Sequence, residues 1–280
     1  MIAVLGGLGA AVAFAVTTLC AARSARLLGP WSVLAWVMVV GLLVAGPLAA
    51  LSGVPGGLDR RSITWLAISG CGNVAGLLVT YAALQTGKVG VIAPIVSTEG
   101  AIAAAISVVI GEHLSETSYV LLGVIAVGVV LAGISPSSTS GPTAIRPVLL
   151  AVAGACLFGV SLYAIGRAGA VLPIFWAVLP ARLVGVAVVA VPLASMSRLR
   201  LSRVALPFLV AGGLGEVVGL ALYEVGARHS LAISAVLSSQ FGGIAAVIAY
   251  FLFRERLRRV QVAGIVLIVV GVAVLSALQN

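Results

Sequence analysis

The chain has 280 residues, of which 62% are apolar and 8% are charged, and its mean hydropathy is +1.27. A soluble domain averages about 25% charged residues, so this composition excludes a soluble globular protein. The long apolar runs predict a polytopic helical membrane protein, because a β-barrel would show alternating segments of about ten residues. The net charge of +9 does not indicate nucleic acid, since the basic residues lie in short loops where lipid headgroups and topology signals account for them.

Ten apolar segments approach the roughly 20 residues that a membrane-spanning helix needs. The first begins at Ile2 with no basic segment before it and no convincing cleavage site, so we expect a retained span rather than a removed signal peptide. The predicted spans are residues 2–22, 31–51, 62–85, 90–110, 116–134, 146–166, 172–193, 204–226, 231–253 and 258–277. Residues 135–145, rich in Ser, Thr, Pro and Gly, are expected to form a flexible linker.

A short pattern inside the third span returns in the eighth. The sequence "GCGNVAG" at residues 70–76 is matched by "GLGEVVG" at residues 213–219, with three glycines in register and Asn73 replaced by Glu216. We therefore expect two five-helix repeats, residues 1–134 and 146–280, on either side of the linker. Because five is an odd number, the second repeat must enter the membrane from the opposite side. Such an inverted-topology repeat is the architecture of many secondary transporters.

Charge predicts the orientation of the termini. Eleven of the 16 Lys and Arg residues lie in the connections that follow odd-numbered spans, and four lie in those that follow even-numbered spans. The positive-inside rule then places the odd connections in the cytoplasm and both termini outside.

Two longer stretches resemble the drug/metabolite transporter superfamily in its ten-helix EamA-type form. They are "YAALQTGKVGVIAPIVSTEGAIAAAISVVIGEHLS" at residues 81–115 and "YEVGARHSLAISAVLSSQFGGIAAVIAYFLFRERLRRVQVAGIVLIVVGV" at residues 223–272. The resemblance implies a transporter of amino acids, metabolites or drugs, with a central cavity between the third, fourth, eighth and ninth helices. It also implies cytoplasmic termini, in conflict with the charge count. By resemblance and position, Glu112 and Glu255 at helix ends are expected to fix the loops there.

Four polar residues fall near the middle of predicted spans: Asn73, Glu99, Arg182 and Glu216. An ionised carboxylate at the centre of a bilayer costs about 2.5–3.5 kcal/mol even on the milder scale, so such residues usually face a cavity or a partner. In one interpretation the two acids line the substrate cavity and bind an amine or exchange a proton. In the other, Arg182 pairs with one acid and the pair only fixes helix positions. The sequence leaves both interpretations open.

Other polar or aromatic residues complete the predicted cavity. They are Tyr81, Ser97, Tyr223, Ser238, Ser239 and Gln240. Pro94 is expected to interrupt the backbone bonding of the fourth helix, and the repeated glycines are expected to let helices pack closely. The histidines and cysteines show no ligand-like spacing, so neither a metal ion nor a cofactor is expected.

These features predict a secondary transporter of a small organic solute, an exporter in a bacterial-type inner membrane, working by alternating access with possible coupling to protons. The sequence contains no Walker motif, so we do not expect ATP to be the driving force. One alternative is a flippase for lipids or lipid-linked sugars. An integral membrane enzyme is an alternative of another class, although we find no catalytic motif for it. The expected partners are the solute and membrane lipid, not nucleic acid, and the sequence does not indicate an oligomeric state.

Overall fold

The chain folds into α-helices throughout the part that the structure, a computed structural model, describes. The described residues are 1–53, 55, 58–110, 116–133, 142–167, 172–227, 229, 234, 237–255 and 257–278. Their helices are α1 Ile2–Leu28, α2 Pro30–Leu51, α3 Arg60–Thr86, α4 Val89–Val96, α5 Glu99–Val109, α6 Glu116–Gly133, α7 Pro142–Arg167, α8 Ile174–Gly185, α9 Val191–Ser195, α10 Leu206–Ala227, α11 Phe241–Leu252 and α12 Arg259–Leu278. A π-helical segment, Val186–Ala190, joins α8 to α9.

Proline and capping residues decide where several helices begin or break. Pro30 starts α2 directly after Gly29, whose φ of 83° favours glycine. Asp59 caps α3 by accepting a hydrogen bond from the backbone N–H of Ser62 at 2.8 Å. Hydrogen bonds from Ser62 also hold the pKa of this exposed carboxyl below its usual value. Pro94 removes a backbone donor from the fourth span, and that span is interrupted between α4 and α5, as the sequence predicts.

The helices are long and apolar enough for a multi-pass membrane protein. By length and composition, six of them can cross a bilayer, namely Ile2–Leu28, Pro30–Leu51, Arg60–Thr86, Ile145–Ile165, Phe175–Ser195 and Leu206–Gly226. Four shorter apolar helices are Val89–Ala103, Tyr119–Ala132, Phe241–Leu252 and Arg259–Val274. Together they correspond to the ten predicted segments, with α4–α5 and α8–α9 each forming one interrupted pass. The predicted all-α membrane architecture is confirmed.

Helices of the first half pack against helices of the second half in a symmetric set of pairs. Helix α1, the first pass, packs on α10, the eighth pass, and α7, the sixth pass, packs on α3, the third pass. The first and sixth passes are equivalent in the two repeats, and so are the third and eighth. The pairs α2 with α8, α4 with α11 and α6 with α12 each join equivalent passes. This pattern fits the pseudo-twofold relation expected of two repeats.

The repeated glycines lie where these paired helices cross. A Cβ on Gly76 would lie 2.8 Å from the ring of Phe158, and a Cβ on Gly219 would lie 2.5 Å from the ring of Phe14. Real Cβ contacts are not this short, so only glycine allows α3 to pack on α7, and α10 on α1, at this distance. We call these two contacts, with Gly72 and Gly215 one turn earlier, the glycine seams.

The connections after α1, α3, α9 and α11 lie on the same end of the bundle, because the passes alternate in direction. This end carries Arg26, in the last turn of α1, and also Arg200, Arg254 and Arg258, in the connections after α9 and α11. We call this end the arginine-rich face.

Candidate functional site

A cavity lies at the centre of the bundle, between the two glycine seams. Its volume is about 120 Å³, below the roughly 300–1,000 Å³ of sites for drug-sized ligands. Helices from both halves line it: α1, α3, α4 and α5 from the first, and α7, α10 and α11 from the second. The passes that the resemblance implies, the third, fourth, eighth and ninth, all contribute, and the first and sixth contribute as well.

Four of the ten predicted site residues line this cavity: Asn73, Tyr81, Glu99 and Glu216. Sequence reasoning did not single out the aromatic walls, Phe14, Phe158 and Phe241. A signal for two of them existed, because "FAV" at residues 14–16 and "FGV" at residues 158–160 occupy equivalent places in the two repeats. The walls are therefore apolar and aromatic, with carboxylate, amide and hydroxyl groups between them.

Arg182 stands behind the cavity and pairs with Glu216. Its side chain is fully buried, with 0% exposure, and Glu216 is 8% exposed. The Nη2 atom of Arg182 lies 3.5 Å from Oε1 of Glu216. A buried guanidinium cannot shed its proton and must keep an anion nearby. Of the two interpretations that the sequence leaves open, this geometry fits the second for Glu216.

Small residues on α2 and α8 make the space for this arginine. A Cβ on Gly41 would lie 2.9 Å from Cδ of Arg182. Because glycine has no side chain, α2 makes room at this position for the aliphatic part of Arg182. The Nη1 atom lies 3.6 Å from the sulfur of Met38, a weak acceptor. Neither Nε nor Nη2 has a hydrogen-bond partner among the described residues. The ion pair with Glu216 is thus the main compensation for this buried charge.

Glu99 has a different environment from Glu216, although both line the same cavity. It is the first residue of α5, directly after the break at Ser97 and Thr98, and it is half-buried. The N-terminus of a helix favours negative charge. Within the described part of the chain, no basic side chain pairs with Glu99 and no donor hydrogen-bonds to its carboxylate. Its main charged neighbour is Glu216.

Three buried polar atoms in the cavity wall have no hydrogen-bond partner among the described residues. They are Oδ1 of Asn73, Oγ1 of Thr80 and the hydroxyl of Tyr81. Buried polar groups are nearly always hydrogen-bonded, and exceptions require an explanation. All three residues belong to α3 and line the cavity, and Oγ1 of Thr80 also lies at the crossing with α7, 2.5 Å from where a Cβ on Gly154 would be.

The remaining predicted residues lie outside the cavity lining. Ser97 is buried and donates from Oγ to the carbonyl of Pro94 at 2.9 Å, so it serves the helix break. The carbonyl of Tyr223 accepts a hydrogen bond from Ser234. The amide Nε2 of Gln240 donates to Ser239, and Gln240 lines an outer apolar groove between α11 and α12. Ser238 is buried but does not line the cavity.

The cavity ends toward the arginine-rich face at Tyr81 and Leu84 of α3. Beyond them, Glu255 accepts hydrogen bonds from the backbone N–H groups of Val89, at 2.9 Å, and Gly90, at 2.8 Å. Glu255 belongs to the connection between α11 and α12, whereas Val89 and Gly90 begin α4. It thus fixes a loop, as expected, and it does so across the two halves. Glu112, its counterpart in the first repeat, lies outside the described residues.

These features define a multi-pass helical membrane protein with a small, mainly apolar cavity between its two halves, to whose lining several polar residues contribute. Comparison with known families goes further, because the model of the EamA-like transporter family matches residues 1–134. This match over the first half of the chain confirms the resemblance to the drug/metabolite transporter superfamily. The match thus suggests a membrane transporter of this type.

Solved structures also share the fold. One, described only as "Crystal structure of protein", superposes with a TM-score of 0.64 at 20% sequence identity, over 97% of this chain and 95% of its own. At this identity the match shows the fold alone. Among curated proteins, none matches the sequence.

Proposed function

We propose that this protein is a secondary transporter that moves a small organic solute by alternating access through the central cavity. The observation that carries the proposal is the cavity itself, which lies between the two halves and is lined by Asn73, Thr80 and Tyr81, each with a buried polar atom that has no hydrogen-bond partner among the described residues. In transporters built from inverted repeats, the substrate site lies at the repeat interface near the middle of the membrane.

The walls indicate the kind of solute. Phe14, Phe158 and Phe241 offer apolar surface, and the polar groups between them are hydroxyls, one amide and two carboxyl groups. The two charged side chains in the described lining, Glu99 and Glu216, are both acidic. A solute with a small apolar body and an amino group matches these walls better than an anionic metabolite.

Of the two acids, Glu99 is the better candidate for coupling to protons. Glu216 lies 3.5 Å from the permanently charged Arg182 and serves as its partner. Glu99 has no such partner among the described residues, so it can lose or gain a proton, or exchange a proton for a cationic solute. Glu99, Glu216 and Arg182 are two acids and one base, so one acid is left that a proton or a monovalent cation can neutralise. We infer that Glu99 exchanges one for the other.

Transport in proteoliposomes tests the proposal. We would impose a pH gradient and follow a panel of amines, amino acids, neutral metabolites and drug-like solutes in the wild type and in Glu99→Gln. The expected result is solute movement driven by an opposing proton gradient, with the pH dependence lost in Glu99→Gln. Glu116→Gln, an exposed acid in the first turn of α6, is the matched control and should behave as the wild type.

Other outcomes would contradict specific parts of the proposal. If Glu99→Gln keeps its pH dependence, coupling does not pass through Glu99. If folded protein moves no member of the panel but transfers a labelled lipid between leaflets, the flippase alternative replaces the transporter of soluble compounds. Chemical conversion of a panel member would instead favour the membrane enzyme.

A further inference from the structure

We propose that Glu255 is a latch that closes the central cavity toward the arginine-rich face, and that this face opens only when its carboxylate leaves the start of α4. This inference concerns regulation of the transport site and rests on the proposed function. Three observations carry it: the bonds of Glu255 across the two halves, the position of Arg26 beside it, and the end of the cavity directly behind both residues.

The carboxylate of Glu255 caps a helix of the other half. Helix α4 begins at Val89, and Lys88 before it provides no side-chain cap. The first backbone N–H groups of a helix need outside acceptors, and both oxygens of Glu255 supply them, one to Val89 and one to Gly90. Glu255 is 9% exposed. Hydrogen bonds to an ionised acceptor in such a buried place are stronger than ordinary ones.

Arg26 of α1 completes the cluster. Its Nη2 atom lies 3.8 Å from Oε1 of Glu255 and donates to the carbonyl of Gly87 at 3.1 Å. Its guanidinium also lies 5.2 Å from the ring centre of Phe253, just before the Glu255 connection. Arg26 therefore bridges the end of α3 to the connection between α11 and α12. Its side chain is 36% exposed, so water reaches one side of the cluster.

The cluster lies directly at the end of the cavity. The Nε atom of Arg26 donates to the carbonyl of Leu84 at 3.4 Å, and Leu84 is the cavity residue nearest the end of α3. Any path from the cavity to this face along α3 must pass the cluster. Because Glu255 and α4 belong to different halves, rocking of the halves that opens this path must separate them.

The separation has two stable end states, as a latch requires. In the closed state the carboxylate satisfies two backbone donors and faces Arg26. In the open state, water at the face can hydrate both the carboxylate and the exposed start of α4. Loss of even one hydrogen bond to a charged group shifts an opening equilibrium by about tenfold or more. Glu255→Ala is therefore expected to favour the open face strongly.

Cysteine labelling tests the latch without a transported solute. In a background with Cys20, Cys71 and Cys156 replaced by Ala, Leu84→Cys places a thiol at the end of the cavity. A membrane-impermeant maleimide is applied to vesicles of each orientation. We expect slow labelling of Leu84→Cys from the arginine-rich face, about tenfold or more faster labelling when Glu255→Ala is added, and an intermediate rate with Glu255→Gln, which keeps one acceptor oxygen.

Two controls and a second perturbation keep the test decisive. Leu201→Cys, exposed on the same face, reports reagent access and should label equally in every background. Glu116→Ala removes an exposed acid elsewhere and should leave the Leu84→Cys rate unchanged. If Glu255→Ala does not fold, Gly90→Ala serves instead, because its Cβ would lie 3.2 Å from Oε2 of Glu255 and loosen the cap from the other side.

Unchanged labelling of Leu84→Cys in folded Glu255→Ala and Glu255→Gln would overturn the latch. Faster labelling from only the opposite face would overturn it too. Neither result depends on the solute panel, so failure of the latch and failure of the transport proposal can be told apart.

Discussion

The two halves of this protein share their packing but differ in charge at one pair of positions. In the second half, Glu216 of α10 faces Arg182 of α8. In the first half, the equivalent places hold Asn73 of α3 and Met38 of α2. Gly41 lies three residues after Met38, and Gly185 lies three residues after Arg182. Each glycine contacts the side chain from the other half, because Gly41 lies against Arg182 and Gly185 lies against Met38. An ionic pair in one half thus corresponds to a neutral pair in the other.

This difference separates packing from charge. Among the described residues, the glycine seam between α3 and α7 contains no ion pair, so close packing of this kind does not require charges at those places. Both charges are present in one half and both are absent from the other, which is expected if neither is tolerated alone in an apolar interior. Glu216 is accordingly explained first by Arg182, and Glu99 remains the cavity acid without a basic partner among the described residues.

The largest effect is expected from breaking this pair. Glu216→Asn leaves the guanidinium of Arg182 buried without an anion, which should lower the free energy of unfolding in detergent by about 3–5 kcal/mol. Arg182→Met should cost less, because the remaining carboxyl of Glu216 can take up a proton whereas a guanidinium cannot lose one. Denaturant titration of each purified variant measures both effects.

The double variant sharpens the comparison, because Arg182→Met with Glu216→Asn copies the neutral pair of the first half. Buried ion pairs are often replaced by neutral side chains at little cost, so the double variant should regain most of the stability that Glu216→Asn loses. It should also keep pH-dependent transport, since Glu99 is untouched. A double variant as unstable as Glu216→Asn would show that the charges have a structural role that the first half achieves by other means.

A smaller effect is expected from filling the glycine seams, and it should be similar in both halves. Gly76→Ala and Gly219→Ala each bring a methyl group against a phenylalanine ring, and overpacking of this kind costs about 1–3 kcal/mol. Because Phe14 and Phe158 both line the cavity, we expect a displaced ring to narrow it. Solute affinity should therefore fall along with stability in either variant.

Gly123→Ala provides the control for this pair of substitutions. A Cβ on Gly123 of α6 would meet no atom within 4 Å, so alanine should leave stability unchanged or raise it slightly through its better helix propensity. Unequal losses in Gly76→Ala and Gly219→Ala would show that the two seams are not equivalent. Stability curves and solute binding for all three variants decide the matter.

Much of the fold followed from the sequence because apolar length and the repeat are strong signals. Pro94 predicted the interruption of the fourth pass, and the glycine pattern predicted the close helix crossings. Asn73, Glu99 and Glu216 were predicted for the cavity because a polar side chain in mid-membrane must face something other than lipid. The inference about the cavity residues rests only on the energetic cost of an unsatisfied polar group in an apolar solvent.

The rest depended on helix rotation, which apolar sequences hide. In a helix that is apolar on all sides, periodicity does not show which face meets the cavity. Gln240 therefore looked like a cavity residue although it lines the outer groove between α11 and α12, and Phe241, its neighbour, lines the cavity. The sequence likewise does not decide whether Glu99 or Glu216 pairs with Arg182. Two acids at similar depth in the membrane cannot be distinguished without the crossing angle of α8 and α10.

The smallest predicted effect concerns one hydrogen bond that both halves make. The hydroxyl of Ser161 on α7 donates to the carbonyl of Ser69 on α3 at 2.9 Å, and the hydroxyl of Thr17 on α1 donates to the carbonyl of Gly212 on α10 at 3.3 Å. Hydrogen bonds between membrane helices contribute about 0.6 kcal/mol on average. Ser161→Ala and Thr17→Val should each lower stability by roughly this amount, with the shorter Ser161 bond costing slightly more. Because both side chains also line the cavity, a loss of solute affinity larger than the loss of stability in either variant would show that its hydroxyl contacts the solute as well as the neighbouring helix.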